Sequence, residues 1–89
     1  MTDLVAVLRS MLPPLRVEYR TGCLNNAAIG GFDQHLLSLV REALPLAAGQ
    51  PAEPHLRRMA EILAAYRGLD LATRAKRLRE IKRRLDALL

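Results

Sequence analysis

Hydrophobic residues recur along this chain at spacings of three and four, which is the period of an amphipathic helix. The most regular run is the last one, over about nineteen residues, with Asp70 placed as its N-cap. Its apolar positions are Leu71, Ala75, Leu78, Ile81, Leu85 and Leu88, and a helical wheel puts Leu71, Leu78, Leu85 and Leu89 on one stripe. The pattern therefore predicts a long C-terminal helix with one buried seam.

Four shorter runs precede this helix, and proline, glycine and capping residues mark their ends. They cover Leu4 to Leu12, Pro14 to Gly22, Phe32 to Pro45, and about Pro54 to Arg67. Strand signals do not recur. We therefore expect an all-α fold: a small helical bundle of four to five helices, with the C-terminal helix longest.

The segments between these runs predict turns of different kinds. Thr2 or Asp3 can cap the first helix. Residues 23–31, CLNNAAIGG, predict an ordered loop with positive φ angles and Ile29 turned into the core. The stretch from Ala47 to Pro54 predicts a flexible connection between two antiparallel helices.

Tyr66 lies on the apolar stripe of the fourth predicted helix, so we expect its ring in the core and its hydroxyl at the surface.

Length and composition indicate a single domain over residues 1–89, since 89 residues supply one small core. The one cysteine, Cys23, excludes an internal disulfide, and the N-terminal segment lacks the basic flank of a signal peptide. No stretch approaches the roughly 18–20 apolar residues of a membrane span. These features predict a cytoplasmic protein without a membrane role.

Charge is concentrated near the C-terminus. Between Arg67 and Arg84, eight basic side chains face two acidic ones, Asp70 and Glu80, whereas the whole chain carries +5. The predicted phosphate-contacting residues are Arg74, Lys76, Arg77, Arg79, Arg83 and Arg84. Replacing Arg77, Arg83 and Arg84 together is expected to weaken binding and to leave the fold intact.

The same charge pattern has a second interpretation, a solvated bundle face. Glu80 lies three or four residues from Lys76, Arg77, Arg83 and Arg84 and can pair with them. The basic segment also lacks the aromatic platforms that single-stranded nucleic-acid binders use. Contact with nucleic acid, if made, should be through phosphates, without sequence preference and with strong salt dependence.

Candidate chemistry is sparse elsewhere in the sequence. Cys23, His35 and His55 are too few and too scattered for a metal site. The acidic residues form no paired-carboxylate arrangement, and the glycines match neither phosphate-binding fingerprint. We therefore predict no enzyme activity, catalytic residue, cofactor, metal or small-molecule substrate.

A further pattern consists of Glu18, Gly22, Asn25 or Asn26, Ala28, Ile29, Gly30, Gly31, Phe32 and Leu36, then Leu63-x-x-Tyr66, Leu69-Asp70-Leu71 and Arg74. In this pattern the stretch from Leu15 to Leu89 resembles the helical N-terminal region of RecG-type ATP-dependent DNA helicases. The resemblance implies a stand-alone or excised accessory domain associated with DNA repair. The wedge and motor domains of those helicases have no counterpart in these 89 residues, so ATPase and unwinding activity are not implied.

Two function hypotheses follow. The first is a non-catalytic helical accessory domain that contacts DNA phosphates through its basic C-terminal helix. The second is a protein-interaction module or homodimerising bundle with no nucleic-acid role, in which Leu88-Leu89 or the Leu4–Leu12 helix meets a partner.

Overall fold

The computed structural model describes residues 3–22 and 31–89, and these form an all-α bundle. Its helices are α1 (Leu4–Ser10), α2 (Leu12–Val17), a π-helical turn (Glu18–Gly22), α3 (Phe32–Leu46), α4 (Ala52–Ala65), a 3₁₀ turn (Tyr66–Gly68) and α5 (Leu71–Leu88). The predicted fold class is confirmed, and α5 is the longest of these helices.

Local sequence explains where these helices start. Asp3 accepts a hydrogen bond from the Ala6 amide at 2.8 Å, and Asp70 accepts one from the Thr73 amide at 2.7 Å. Both are N-caps, as predicted. α4 begins earlier than expected, at Ala52, because Pro54 lies in the first turn, where backbone amides have no intrahelical acceptor.

The core is built on the pair α3–α4, the helices with the most extensive mutual contact, and α1 and α5 pack against opposite members of that pair. A short connection, residues 47–51, joins α3 to α4 as a helical hairpin. The predicted flexible linker is thus shorter, and its Ala47 is buried. Fully buried side chains come from every α-helix and include Leu8, Leu15, Leu36, Leu56 and Leu78.

Two expectations are corrected here, and a third falls almost entirely outside the described residues. Leu71 and Leu89 lie at the ends of α5 and are 41% and 49% exposed, so the seam is carried by Leu78, Ile81 and Leu85. The Tyr66 hydroxyl lies inside the bundle, because Tyr66 has no exposed surface. The loop predicted over residues 23–31, with Cys23 and Ile29, lies outside the described residues except for Gly31, whose φ of +104° is positive as expected.

Candidate nucleic-acid interface

Five of the six predicted contact residues fall into three groups in the structure, and Arg74 forms the first. It is 5% exposed and donates hydrogen bonds to the carbonyl oxygens of Tyr66 at 3.3 Å and Arg67 at 2.9 Å. Its guanidinium also lies 5.5 Å from the centre of the Tyr66 ring. Arg74 therefore holds the start of α5 against the end of α4, satisfying carbonyls that a helix end leaves free.

Arg77 and Arg84 form the second group, because both bind Glu80. Arg77 Nη1 and Arg84 Nε lie 3.3 and 3.0 Å from its carboxylate oxygens. Arg58 on α4 donates to both oxygens, at 2.9 and 3.3 Å. Sequence spacing indicated the pairs within α5, but Arg58 lies 22 positions away and only the packing of α4 on α5 brings it there.

These arginines hold the pKa of Glu80 at about 2, well below its ordinary value of 4.5, chiefly through the hydrogen bond from Arg58. The carboxylate is therefore ionised under all physiological conditions. Lys76 and Arg83, which sequence spacing also placed within reach of Glu80, make no ion pair among the described residues.

Arg79 and Arg83 form the third group and line an open groove of about 570 Å³ between α5 and the α2–π-helical segment. The described residues that line it are Leu15, Arg16, Tyr19, Arg20, Arg79, Lys82, Arg83 and Asp86. Five of these side chains are cationic and one is a carboxylate. Lys76 is exposed on α5 but does not line the groove.

The charges within this groove are unequally matched. Asp86 binds Lys82 at 2.9 Å, one turn earlier on α5. Arg16, Arg20, Arg79 and Arg83 are exposed and make no ion pair within the described part of the chain. The groove therefore holds four arginines whose charge is not neutralised locally, each with a planar guanidinium suited to phosphate oxygens.

Sequence reasoning missed half of this groove. Arg16, Tyr19 and Arg20 lie about sixty positions before Arg79 and Arg83 and belong to a short segment with no charge cluster of its own. The i, i+4 spacing of Arg16 and Arg20 was the one available signal, since it puts two cations on one helical face. Their proximity to α5 follows from tertiary packing alone.

The carboxylates that the fold buries have structural partners. Glu18 is 2% exposed and accepts the Tyr66 hydroxyl at 2.5 Å. Asp33 is 5% exposed and accepts two hydrogen bonds from Arg67, at 2.8 and 3.3 Å. The Arg67 guanidinium has a raised pKa because of this hydrogen-bonded pair. Among the described residues, no three His, Cys, Asp or Glu side chains are grouped as metal ligands.

Comparison of the chain with protein-family models, with curated proteins and with solved structures finds no match. Within the described residues, no helix has both the length and the apolar character needed to cross a bilayer. The fold defines the class of the protein as a small all-α bundle, and its function has to be argued from the groove.

Proposed function

We propose that this protein is a non-catalytic helical module that binds DNA phosphates, without sequence preference, through the groove between α5 and the α2–π-helical segment. The observation that carries this proposal is the convergence of Arg16, Arg20, Arg79 and Arg83 on one groove with no ion-pair partner among the described residues. Of the six residues predicted from sequence, Arg79 and Arg83 line this groove.

Electrostatics favour a polyanion as the ligand of this groove. The four positive charges repel one another when the groove is empty, and a bound phosphate chain relieves that repulsion. Binding also releases the counterions condensed on the nucleic acid. A phosphate backbone presents several anionic groups in series, so it can meet guanidiniums on both walls. Contacts of this kind position a protein on DNA but carry no sequence information.

Three of the other predicted residues make contacts within the fold. Arg77 and Arg84 neutralise Glu80, and Arg74 is enclosed by the fold, so replacing any of these three alters helix packing. Replacing Arg77, Arg83 and Arg84 together would therefore change helix packing as well as any phosphate binding. The double variant Arg79→Ala/Arg83→Ala removes two groove charges and leaves both structural networks in place.

The non-catalytic part of the proposal is supported by the two buried carboxylates, because each is bound within the fold: Glu18 by Tyr66 and Asp33 by Arg67. The resemblance to the RecG N-terminal region stays a prediction, and phosphate binding by the groove does not depend on it. The alternative, a protein-interaction module, also stays a prediction: Val7 and Leu8 of α1 are buried in the core, whereas Val5 and Leu89 are 45% and 49% exposed.

The test is a titration of labelled DNA by fluorescence anisotropy at several salt concentrations. Wild-type affinity should fall as salt rises, and Arg79→Ala/Arg83→Ala should weaken binding and reduce the log–log salt slope by about 1.4 to 1.8, two phosphate contacts. The matched control is Arg9→Ala/Arg41→Ala, which removes the same charge from exposed positions outside the groove.

Two outcomes would contradict the proposal. The first is no detectable affinity at about 50 mM salt. The second is equal weakening by the groove variant and the control variant, because binding would then reflect overall charge rather than this groove. Circular dichroism of each variant establishes that the helical fold is intact.

A further inference from the structure

The groove contains an aromatic ring as well as arginines. Tyr19 lines it and is 44% exposed. The other two aromatic residues are committed to the interior: Tyr66 is fully buried, and Phe32 packs on it with ring centres 5.5 Å apart. Tyr19 is thus an exposed ring beside four arginines that make no ion pair with any described residue.

The position of Tyr19 is determined by its neighbour Glu18. Glu18 is directed into the bundle, where it accepts the Tyr66 hydroxyl. The next residue on a helical turn projects away from that direction, so Tyr19 lies at the surface. Anchoring Glu18 in the core fixes the backbone from which the exposed ring extends, so this part of the backbone need not be ordered when a ligand stacks on the ring.

An aromatic ring beside four arginines distinguishes single-stranded DNA from duplex DNA. Duplex DNA exposes phosphates but keeps the faces of its bases stacked within the helix. A single strand offers both phosphates and free base faces, and proteins that bind single strands pair a positive groove with aromatic stacking platforms. Leu15 lies beneath the groove and is 1% exposed, so the exposed ring available to a base in this groove is that of Tyr19.

We infer that the groove binds single-stranded DNA in preference to duplex, with one base stacked on Tyr19 and the adjoining phosphates held by Arg16 and Arg20 on one wall and Arg79 and Arg83 on the other. This inference rests on the proposed function and adds the form of DNA and the stacking residue. The groove volume of about 570 Å³ lies within the roughly 300–1,000 Å³ of pockets that enclose small ligands, so it has room for a nucleotide unit.

The experiment compares oligothymidylate, which has no secondary structure, with a duplex of equal length. Tyr19→Phe should keep the wild-type affinity for the single strand because it keeps the ring. Tyr19→Ala should weaken single-strand binding about fivefold or more, the effect of one lost stacking contact, and leave duplex binding unchanged.

A second readout uses the absence of tryptophan from the chain. In Tyr19→Trp the new indole is the sole tryptophan, so its fluorescence reports on this position alone. Stacking on a base should quench the indole fluorescence when oligothymidylate binds. The affinity of Tyr19→Trp for oligothymidylate should equal or exceed that of the wild type.

Failure of this inference is distinguishable from failure of the proposed function. If Arg79→Ala/Arg83→Ala weakens binding but Tyr19→Ala does not, the groove binds phosphates and the stacking inference is wrong. Equal affinity for duplex and single strand, or unchanged indole fluorescence on binding, would also overturn it. If neither variant weakens binding, both proposals are wrong.

Discussion

Tyr66 and Glu18 are 48 positions apart in the chain, yet the tyrosine hydroxyl donates a 2.5 Å hydrogen bond to Glu18 Oε2 inside the bundle. Both residues are almost completely buried. A buried carboxylate is costly unless donors satisfy it, so this contact joins the end of α4 to the segment that carries Tyr19. The core thereby positions one wall of the groove.

Removing the hydroxyl from this contact should destabilise the protein. We expect Tyr66→Phe to lower the free energy of unfolding by about 1–3 kcal/mol, because Glu18 stays buried without this donor. Urea denaturation followed by circular dichroism measures the change. The matched control is Tyr19→Phe, which removes an exposed hydroxyl and should alter stability by less than about 0.5 kcal/mol. Equal effects of the two variants would contradict a stabilising role for the buried bond.

Substitution of Arg74 tests whether this residue acts in the fold or in DNA binding. Arg74→Lys keeps the positive charge but loses the planar fork that reaches the carbonyls of Tyr66 and Arg67. We expect it to lower stability by about 1–3 kcal/mol and to leave DNA affinity unchanged under conditions where the variant is folded. Lys76→Ala, at an exposed position on the same helix, should change stability by less than about 0.5 kcal/mol. A stable Arg74→Lys variant would show that the two hydrogen bonds are unimportant.

Glu80 should make stability depend on acid pH. Its pKa is lowered from 4.5 to about 2 in the folded state, so the stability it contributes is present above about pH 4.5 and is lost as the pH falls through 2. The contribution at neutral pH is at most about 3 kcal/mol, since the partner arginines are partly exposed and water screens them.

The measurement is urea denaturation of wild type and Glu80→Gln between pH 7 and pH 2. The two proteins should differ most at neutral pH and converge as the pH approaches 2. Glu42→Gln is the control, because Glu42 is exposed and makes no ion pair among the described residues. A difference between wild type and Glu80→Gln that is constant with pH would contradict the assignment.

Gly49 tests the turn between α3 and α4. Its φ is +77°, in the left-handed region that side chains disfavour, although a Cβ there would meet no atom within 4 Å. Gly49→Ala should therefore cost about 1–2 kcal/mol through backbone strain alone. Gly68→Ala, where space is equally open and φ is not positive, should cost less than about 0.5 kcal/mol. Thermal denaturation of both variants distinguishes strain from crowding.

Local features of the sequence were sufficient to predict most of the helices. Asp70 caps α5 as expected because capping involves residues three apart, and the seam residues Leu78 and Ile81 are buried because helical periodicity is a local property. Predictions at the ends of helices were less accurate: Leu71 and Leu89 share the apolar period of α5, but both are exposed at its two ends.

The candidate site was predictable only in part. Arg79 and Arg83 were named from the charge of α5, but the sequence does not show that Arg74, Arg77 and Arg84 have partners in the fold. Those partners are the Tyr66 and Arg67 carbonyls for Arg74 and Glu80 for the other two, with Arg58 of α4 completing the Glu80 network. Charge density alone does not indicate which guanidiniums are neutralised.

Local sequence predicts the helical class, the caps and the concentration of positive charge, because each depends on residues within a few positions of one another. Tertiary packing, by contrast, determines which arginines make no ion pair with the described residues and which aromatic ring lies beside them. Packing brings Tyr19 and Arg16 beside Arg79, and long-range proximity of this kind depends on how whole helices bury their apolar faces, which no local pattern records.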